Sequence, residues 1–258
     1  MILCTVRGCG GALARDGGRF VCPRGHAFDV ARSGYVNLLQ PQERRSKQPG
    51  DSEAAVAARR RVHERGVTRP MLDAISSVLA PSADDVILDA GCGDGWFLGE
   101  LQSRYGFAGY GIDISTPAIE LAARRYPDCT WLVGNADRFV PLADRSMTKV
   151  VSITARMNAP EFRRVLRDDG MLLVAVPAPD DLAELRGEGK DRAGKTVESF
   201  APQFMLASQR RVTAVVEVDS ETVRDLRLSI YRPRGGTDIG RVTLSLDMLV
   251  FAPVQSAG

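Results

Sequence analysis

The run Leu88-Asp89-Ala90-Gly91-Cys92-Gly93-Asp94-Gly95 constrains this chain more than any other segment. It follows a short apolar stretch, Val86-Ile87-Leu88, that reads as a buried strand, and it opens a helical pattern over about residues 96–104. Glycines at such a turn let the backbone approach a ligand where a side chain would clash. A dinucleotide fingerprint requires G-x-G-x-x-G; here position 96 is Trp, so the third glycine falls one residue early. Strand and helix then keep alternating. Tyr110-Gly111-Ile112 reads as a second strand, with a helix from Thr116 to about Arg125. Residues 130–133, 149–153 and 171–176 read as the third, fourth and fifth strands, with a helix at about 159–167 and Pro177 closing the last strand. Such alternation implies a parallel sheet with helices on both faces. Residues 187–194, charged and Gly-rich, read as a mobile loop. Residues 211–218 and 241–251 read as strands around a helix at about 220–228, completing the sheet with one of them antiparallel.

The form D-x-G-x-G-x-G resembles motif I of the class I methyltransferases. That resemblance implies an α/β, Rossmann-like fold with a mostly parallel seven-stranded sheet, and S-adenosylmethionine wrapped by the loop that holds Asp89, Gly91 and Gly93. Asp113 ends the second strand, 20 residues after Gly93, where an acidic side chain can accept both ribose hydroxyl hydrogens. Ile114 follows it, and Asn135-Ala136-Asp137 follow the third strand, where the superfamily reads the adenine. Three motifs at consecutive strand ends argue against a plain αβ turn with stray acids.

The first 36 residues are Gly-rich and lack long apolar runs, so no core of ordinary size forms there. Three of the five cysteines lie in the first 22 residues. Cys4-x4-Cys9 and Cys22-x3-His26 are two short pairs separated by twelve residues, both spacings suited to tetrahedral zinc. Four ligands leave no open position, so the expected ion is structural and stabilises a segment too small to fold alone. The expected organisation is a zinc-binding module over 1–36, a linker and helical segment over 37–82, and the methyl-transfer domain over 83–258. In the middle segment, Asp51 or Ser52 caps a helix running to about Arg65. A second helix spans about residues 69–79, with Met71, Leu72, Ile75, Val78 and Leu79 at helical spacing.

Directly after the zinc ligands comes Phe28-Asp29-Val30-Ala31-Arg32-Ser33-Gly34-Tyr35-Val36-Asn37-Leu38-Leu39, and later Gly50-Asp51-Ser52 and Ala58-Arg59-Arg60. With motif I, this combination resembles the large-subunit ribosomal RNA guanine-N1 methyltransferases, including the tylosin-resistance type, over roughly residues 1–185. The resemblance implies a zinc module that helps grip a ribosomal RNA hairpin, an S-adenosylmethionine domain and a homodimer. Two segments depart from the family pattern. Gly66-Val67-Thr68 stands where the family has Gly-His-Tyr. Thr154-Ala155-Arg156 stands where it has an aromatic-Ala-Pro segment beside the transferable methyl. Thr154 and Arg156 are therefore the acceptor-side candidates, Arg156 having a solvated role as its alternative. No general base is identified.

These departures keep a second reading open: a methyltransferase of small aromatic or indole natural products on the same scaffold. A third, a zinc-dependent RNA-binding protein without catalysis, conflicts with the intact cofactor motifs. The formal net charge of +2 neither demands nor excludes nucleic acid. The basic clusters Arg44, Arg45, Lys47 and Arg59, Arg60, Arg61 read either as solvated faces or as phosphate contacts. Cys92 and Cys129 read as packing residues, His63 on its Arg-rich helix as a surface residue, and Trp96 as either a wall of the cofactor site or core. With 44% hydrophobic and 26% charged residues, no bilayer-spanning run and no signal-peptide pattern in Met1-Ile2-Leu3-Cys4, a cytoplasmic protein is expected.

Overall fold

The structure is a computed structural model and describes residues 1–43, 50–155, 157–230, 233 and 239–254. The zinc-ligand segment carries β1 (Ala14–Asp16), β2 (Arg19–Val21) and β3 (Ala27–Asp29), a three-stranded antiparallel sheet. β4 (Val36–Asn37) follows, then α1 (Glu53–Glu64) and α2 (Arg69–Leu79). The alternating region gives β5 (Val86–Ala90), α3 (Trp96–Tyr105), β6 (Ala108–Asp113), α4 (Thr116–Arg125), β7 (Thr130–Val133), β8 (Met147–Ile153), α5 (Ala159–Val165) and β9 (Leu166–Pro177). The last third contains α6 (Ala183–Arg186), α7 (Ala193–Phe200), β10 (Phe204–Glu217), α8 (Ser220–Ser229) and β11 (Arg241–Pro253).

The second sheet has the order β10-β11-β9-β8-β5-β6-β7-β4. Pairings from β4 through β9 are parallel, and β11 runs antiparallel to both β9 and β10. The seven expected strands are present, and the two-residue β4 adds an eighth beyond β7. One helix takes the end of the expected loop: α7 begins at Ala193, inside the stretch whose glycines and charges read as irregular.

Side-chain alternation along β5 divides the core in two. Ile87 joins a layer with α2, α3 and α4, while Leu88 and Ala90 join a layer with Phe162 and Phe251. The zinc-ligand segment contributes Ile2, Cys4, Leu13 and Cys22 to the second layer and touches the body through an Ile2–Leu142 bridge. Strand order reverses between β5 and β8, and in open α/β sheets ligands bind in the crevice beyond the strand ends at that switch. No helix among the described residues is long and apolar enough to cross a membrane.

Candidate functional site

The four proposed metal ligands converge. One donor atom from each of Cys4, Cys9, Cys22 and His26 lies within 4.8 Å of every other. Cys9 Sγ and Cys22 Sγ are 3.7 Å apart, and His26 Nδ1 lies 3.4 Å from Cys4 Sγ and 3.3 Å from Cys22 Sγ. Zinc–sulfur bonds of about 2.3 Å at tetrahedral angles place sulfurs about 3.7 Å apart, so the donor set fits zinc in number, chemistry and spacing. Tight backbone turns hold each pair: the Cys9 N–H donates to the Val6 carbonyl and the Gly25 N–H to the Cys22 carbonyl, both at 2.9 Å.

At the switch point a cavity of about 1110 Å³ opens beside the glycine turn. Gly91, Gly93, Asp113, Ile114, Asn135, Ala136, Asp137 and Thr154 all line it. Asp89 lies buried behind the turn, 2% exposed. Arg156 lies outside the described residues. The cavity exceeds the roughly 300–1,000 Å³ of a single drug-sized ligand site, so it has room for two reactants.

Gly91 has φ +82°, and a Cβ there would stand 2.4 Å from Ala155 Cβ. Only a glycine brings the backbone this close to the segment after β8. The Asp113 carboxylate is fixed from both sides, Oδ2 accepting from the Gly93 N–H at 3.0 Å and Oδ1 from the Ser115 N–H at 2.8 Å. Each oxygen keeps a further lone pair for hydroxyl donors. Burial raises the Asp113 pKa against those two N–H bonds. Asp89 is pushed up to about 8 by burial and by the neighbouring Asp113, and its Oδ1 has no partner. The cavity-lining Asp113 carboxylate beside the glycine cradle, with free lone pairs, suits a cationic, hydroxyl-bearing ligand such as S-adenosylmethionine.

α1 supplies a wall that sequence reasoning did not assign. Its three consecutive arginines point to three different elements. Arg59 pairs with Asp51 at 2.6 Å, donates to the Ser229 carbonyl at 3.2 Å, and comes within 3.6 Å of where a Gly93 Cβ would stand. Arg60 is buried. It donates to the Asp94 carbonyl at 2.7 Å and to Tyr126 Oη at 3.2 Å, and its Nε faces Asp94 Oδ2 at 3.0 Å as an ion pair without hydrogen-bond alignment. Arg61 binds Asp225 at 2.5 and 2.9 Å, and Arg65 reaches the same carboxylate at 2.6 Å. The cluster read as solvated or phosphate-binding is thus committed internally. Arg44, Arg45 and Lys47 lie outside the described residues.

His63, expected at the surface, is 7% exposed and stacks on Trp96 at 4.4 Å. It lines the cavity with Thr68, Met71 and Phe97, whereas Trp96 belongs to the core behind it. Cys92 and Cys129 are buried packing residues. The far end of the cavity bears strained backbone. Thr154 has φ +52° and Leu182 φ +50°, conformations costly for side chains branched or bulky near the backbone. Between them Asp181 accepts from the Ser245 N–H at 2.9 Å and from Arg186. Only the fold brings α1, α2 and the 181–186 turn to this cavity; no local motif marks them.

Comparisons with known proteins bear on the family and the fold. The family model described as a methyltransferase domain matches residues 87–170, and that described as RlmA, N-terminal, a zinc ribbon, matches residues 5–47. A Streptomyces fradiae protein, 23S rRNA (guanine(748)-N(1))-methyltransferase, is 32% identical over 226 residues, 83% of this chain and 80% of its own length. A Bacillus subtilis protein assigned to the same guanine-N1 class is 37% identical over 182 residues, 67% of this chain and 63% of its own length. Among solved structures, the complex of the Haloferax volcanii Trm112 activator with a methyltransferase superposes at a TM-score of 0.57. That match has 17% identity and covers 80% of this chain and 98% of that one, a likeness of fold.

Proposed function

Because the chain belongs to the 23S ribosomal RNA (guanine-N1)-methyltransferase family, we propose that it methylates N1 of a guanine in large-subunit ribosomal RNA. Methyl transfer from S-adenosylmethionine is the family chemistry, and the cofactor supplies a methyl already activated on a sulfonium. The observation that carries the reading is the meeting of the glycine cradle and the Asp113 carboxylate in one cavity with room for two reactants, with Asp89 buried behind the turn.

In this reading Asp89, Gly91, Gly93, Asp113, Ile114, Asn135, Ala136 and Asp137 hold the cofactor. Asp113 takes ribose hydroxyls, Asn135 to Asp137 border the adenine, and Arg59 offers a cation to the methionyl carboxylate. What the chain adds to the intrinsic reactivity is alignment and exclusion of water. The target base must be unpaired or flipped out to enter. Since Arg60 and Arg61 are paired internally and Arg59 faces the proposed cofactor site, the phosphate contacts assigned here are Arg44, Arg45 and Lys47 together with the exposed cations of the zinc module, Arg7, Arg15, Arg24 and Arg32. Zinc bound by Cys4, Cys9, Cys22 and His26 fixes that module as a structural ion. A cytoplasmic homodimer is the expected working form.

The test is transfer of labelled methyl from the cofactor to 23S ribosomal RNA taken from a strain lacking the gene, run beside a panel of aromatic and indole compounds. Labelling of one guanine is expected. Its binding should weaken steeply with salt, and removing the four module arginines should flatten that dependence. Strong turnover of a free aromatic compound with no ribosomal RNA labelling would overturn the acceptor.

A further inference from the structure

Thr68 occupies the N-cap of α2, where a threonine hydroxyl ordinarily accepts a first-turn N–H. Here it makes no such bond. Its Oγ1 lies 2.6 Å from His63 Nδ1 instead. His63 is confined on its other sides. Trp96 covers one ring face, Phe97 meets it edge-on at 5.9 Å, and its Nε2 faces Asp94 Oδ1 at 3.7 Å. The charged groups nearest it are Arg59 and Arg60 from α1 and Asp94 from the glycine turn; α3 meets its ring with Trp96 and Phe97, and Glu64, Arg69 of α2, Glu100 of α3 and Arg125 of α4 line a small pocket on its outer side. Burial first, then the two arginines, push the imidazole down to about 3, so it is neutral at working pH. The Asp94 side chain, 3.7 Å from Nε2, favours the neutral tautomer whose proton faces it, and in that tautomer Nδ1 is an acceptor. In that tautomer the Thr68 hydroxyl donates to His63, and the Oγ1 lone pairs are left for the cavity that both residues line with Gly91 and Gly93.

We propose that Thr68 Oγ1 accepts a hydrogen bond from the N–H of the methyl acceptor, and that His63 is the positioning residue that fixes the polarity of that hydroxyl. The inference rests on the N-methyl-transfer reading above and places its recognition at the segment where the chain departs from Gly-His-Tyr. During transfer the S–CH3 bond breaks with its electron pair left on sulfur. The N–CH3 bond forms from the acceptor nitrogen, and the N–H proton departs to water along the Oγ1 side. The methylated product has no N–H to offer Thr68, which favours its release.

The experiment compares wild type, Thr68→Val and Thr68→Ser on ribosomal RNA and on N–H compounds, with cofactor affinity measured by calorimetry. Thr68→Val should raise KM for the acceptor roughly tenfold and lower kcat, with Thr68→Ser restoring both and cofactor affinity unchanged within about twofold. Wild-type kinetics in Thr68→Val, or an equal loss of cofactor affinity without rescue by serine, would overturn the inference. If wild type leaves ribosomal RNA unlabelled, the acceptor reading falls. The inference is then decided on whichever N–H compound turns over, and by nitrogen NMR of the histidines, which needs no acceptor. His63 should stay neutral with its proton on Nε2 from about pH 5.5 to 8, and Thr68→Val should shift Nδ1. A proton on Nδ1, or titration near the ordinary histidine value, would overturn it.

Discussion

Acidification to about pH 5 should cost the cofactor-free protein about 2 kcal/mol of stability through His63 alone. Its imidazole titrates at 6.5 in the unfolded chain and is held down to about 3 in the folded one. Between those values only the unfolded state takes up the proton. The stability is therefore complete above the unfolded value and is lost progressively as the pH falls toward the folded one. About 1.5 pH units below the unfolded value, at 1.36 kcal/mol per unit, gives the 2 kcal/mol. Burial between Trp96 and Phe97 beside Arg59 and Arg60 is the physical cause. The assay is urea unfolding of wild type and His63→Gln at about pH 7.5 and 5, comparing how much each loses. Other titrating groups cancel in that comparison. Asp89 acts with the opposite sign: its folded value of about 8 lies above the unfolded one, so its contribution declines as the pH rises through that window. Wild type should lose about 2 kcal/mol more than the variant. Equal losses would refute a buried, neutral His63.

Other consequences are as direct. Cys22→Ser should abolish stoichiometric zinc, read by elemental analysis of unchelated protein, while leaving cofactor affinity largely intact because the cradle is built elsewhere. Gly91→Val should lower S-adenosylmethionine affinity at least about a hundredfold by calorimetry, since its Cβ would collide with Ala155 at a positive φ; unchanged affinity would refute the cradle. Asp225→Asn should destabilise the protein by about 1–2 kcal/mol at neutral pH, discounted for the partly exposed Arg61 and Arg65. The Asp225 carboxyl is drawn down to about 2 by hydrogen bonds from Arg61 and Arg65, so this contribution should vanish as the pH falls from about 4 to 2.

The glycine turn and the strand ends that line the proposed cofactor site were legible because their information is local. The glycine turn, Asp113 and Asn135 each sit at the end of a strand whose apolar run is visible, and α2, α4 and β7 end where their caps and periodicity place them. The acceptor half was not. His63 sits among arginines, and only the fold reveals that Arg60 and Arg61 are neutralised by Asp94 and Asp225, some 30 to 160 positions away in sequence. β4 is too short for any alternation to register, and α7 begins inside the 187–194 stretch whose glycines and charges argue for loop. Thr154 was singled out by its departure from a family pattern, but its left-handed backbone is invisible without coordinates.

The seam between β4 and β7 governs how this protein can be shortened. Val36 and Asn37 pair with Leu132 and Val133, and the Leu38 N–H reaches the Val133 carbonyl at 2.8 Å. Deleting everything before α1 would bare the backbone of Leu132 and Val133 and lengthen the open edge of β7, whose donors and acceptors are then offered to any neighbouring chain. A preparation trimmed that far should clump through edge-to-edge pairing, even with the glycine turn and Asp113 in place. The shortest well-behaved form therefore begins no later than Val36.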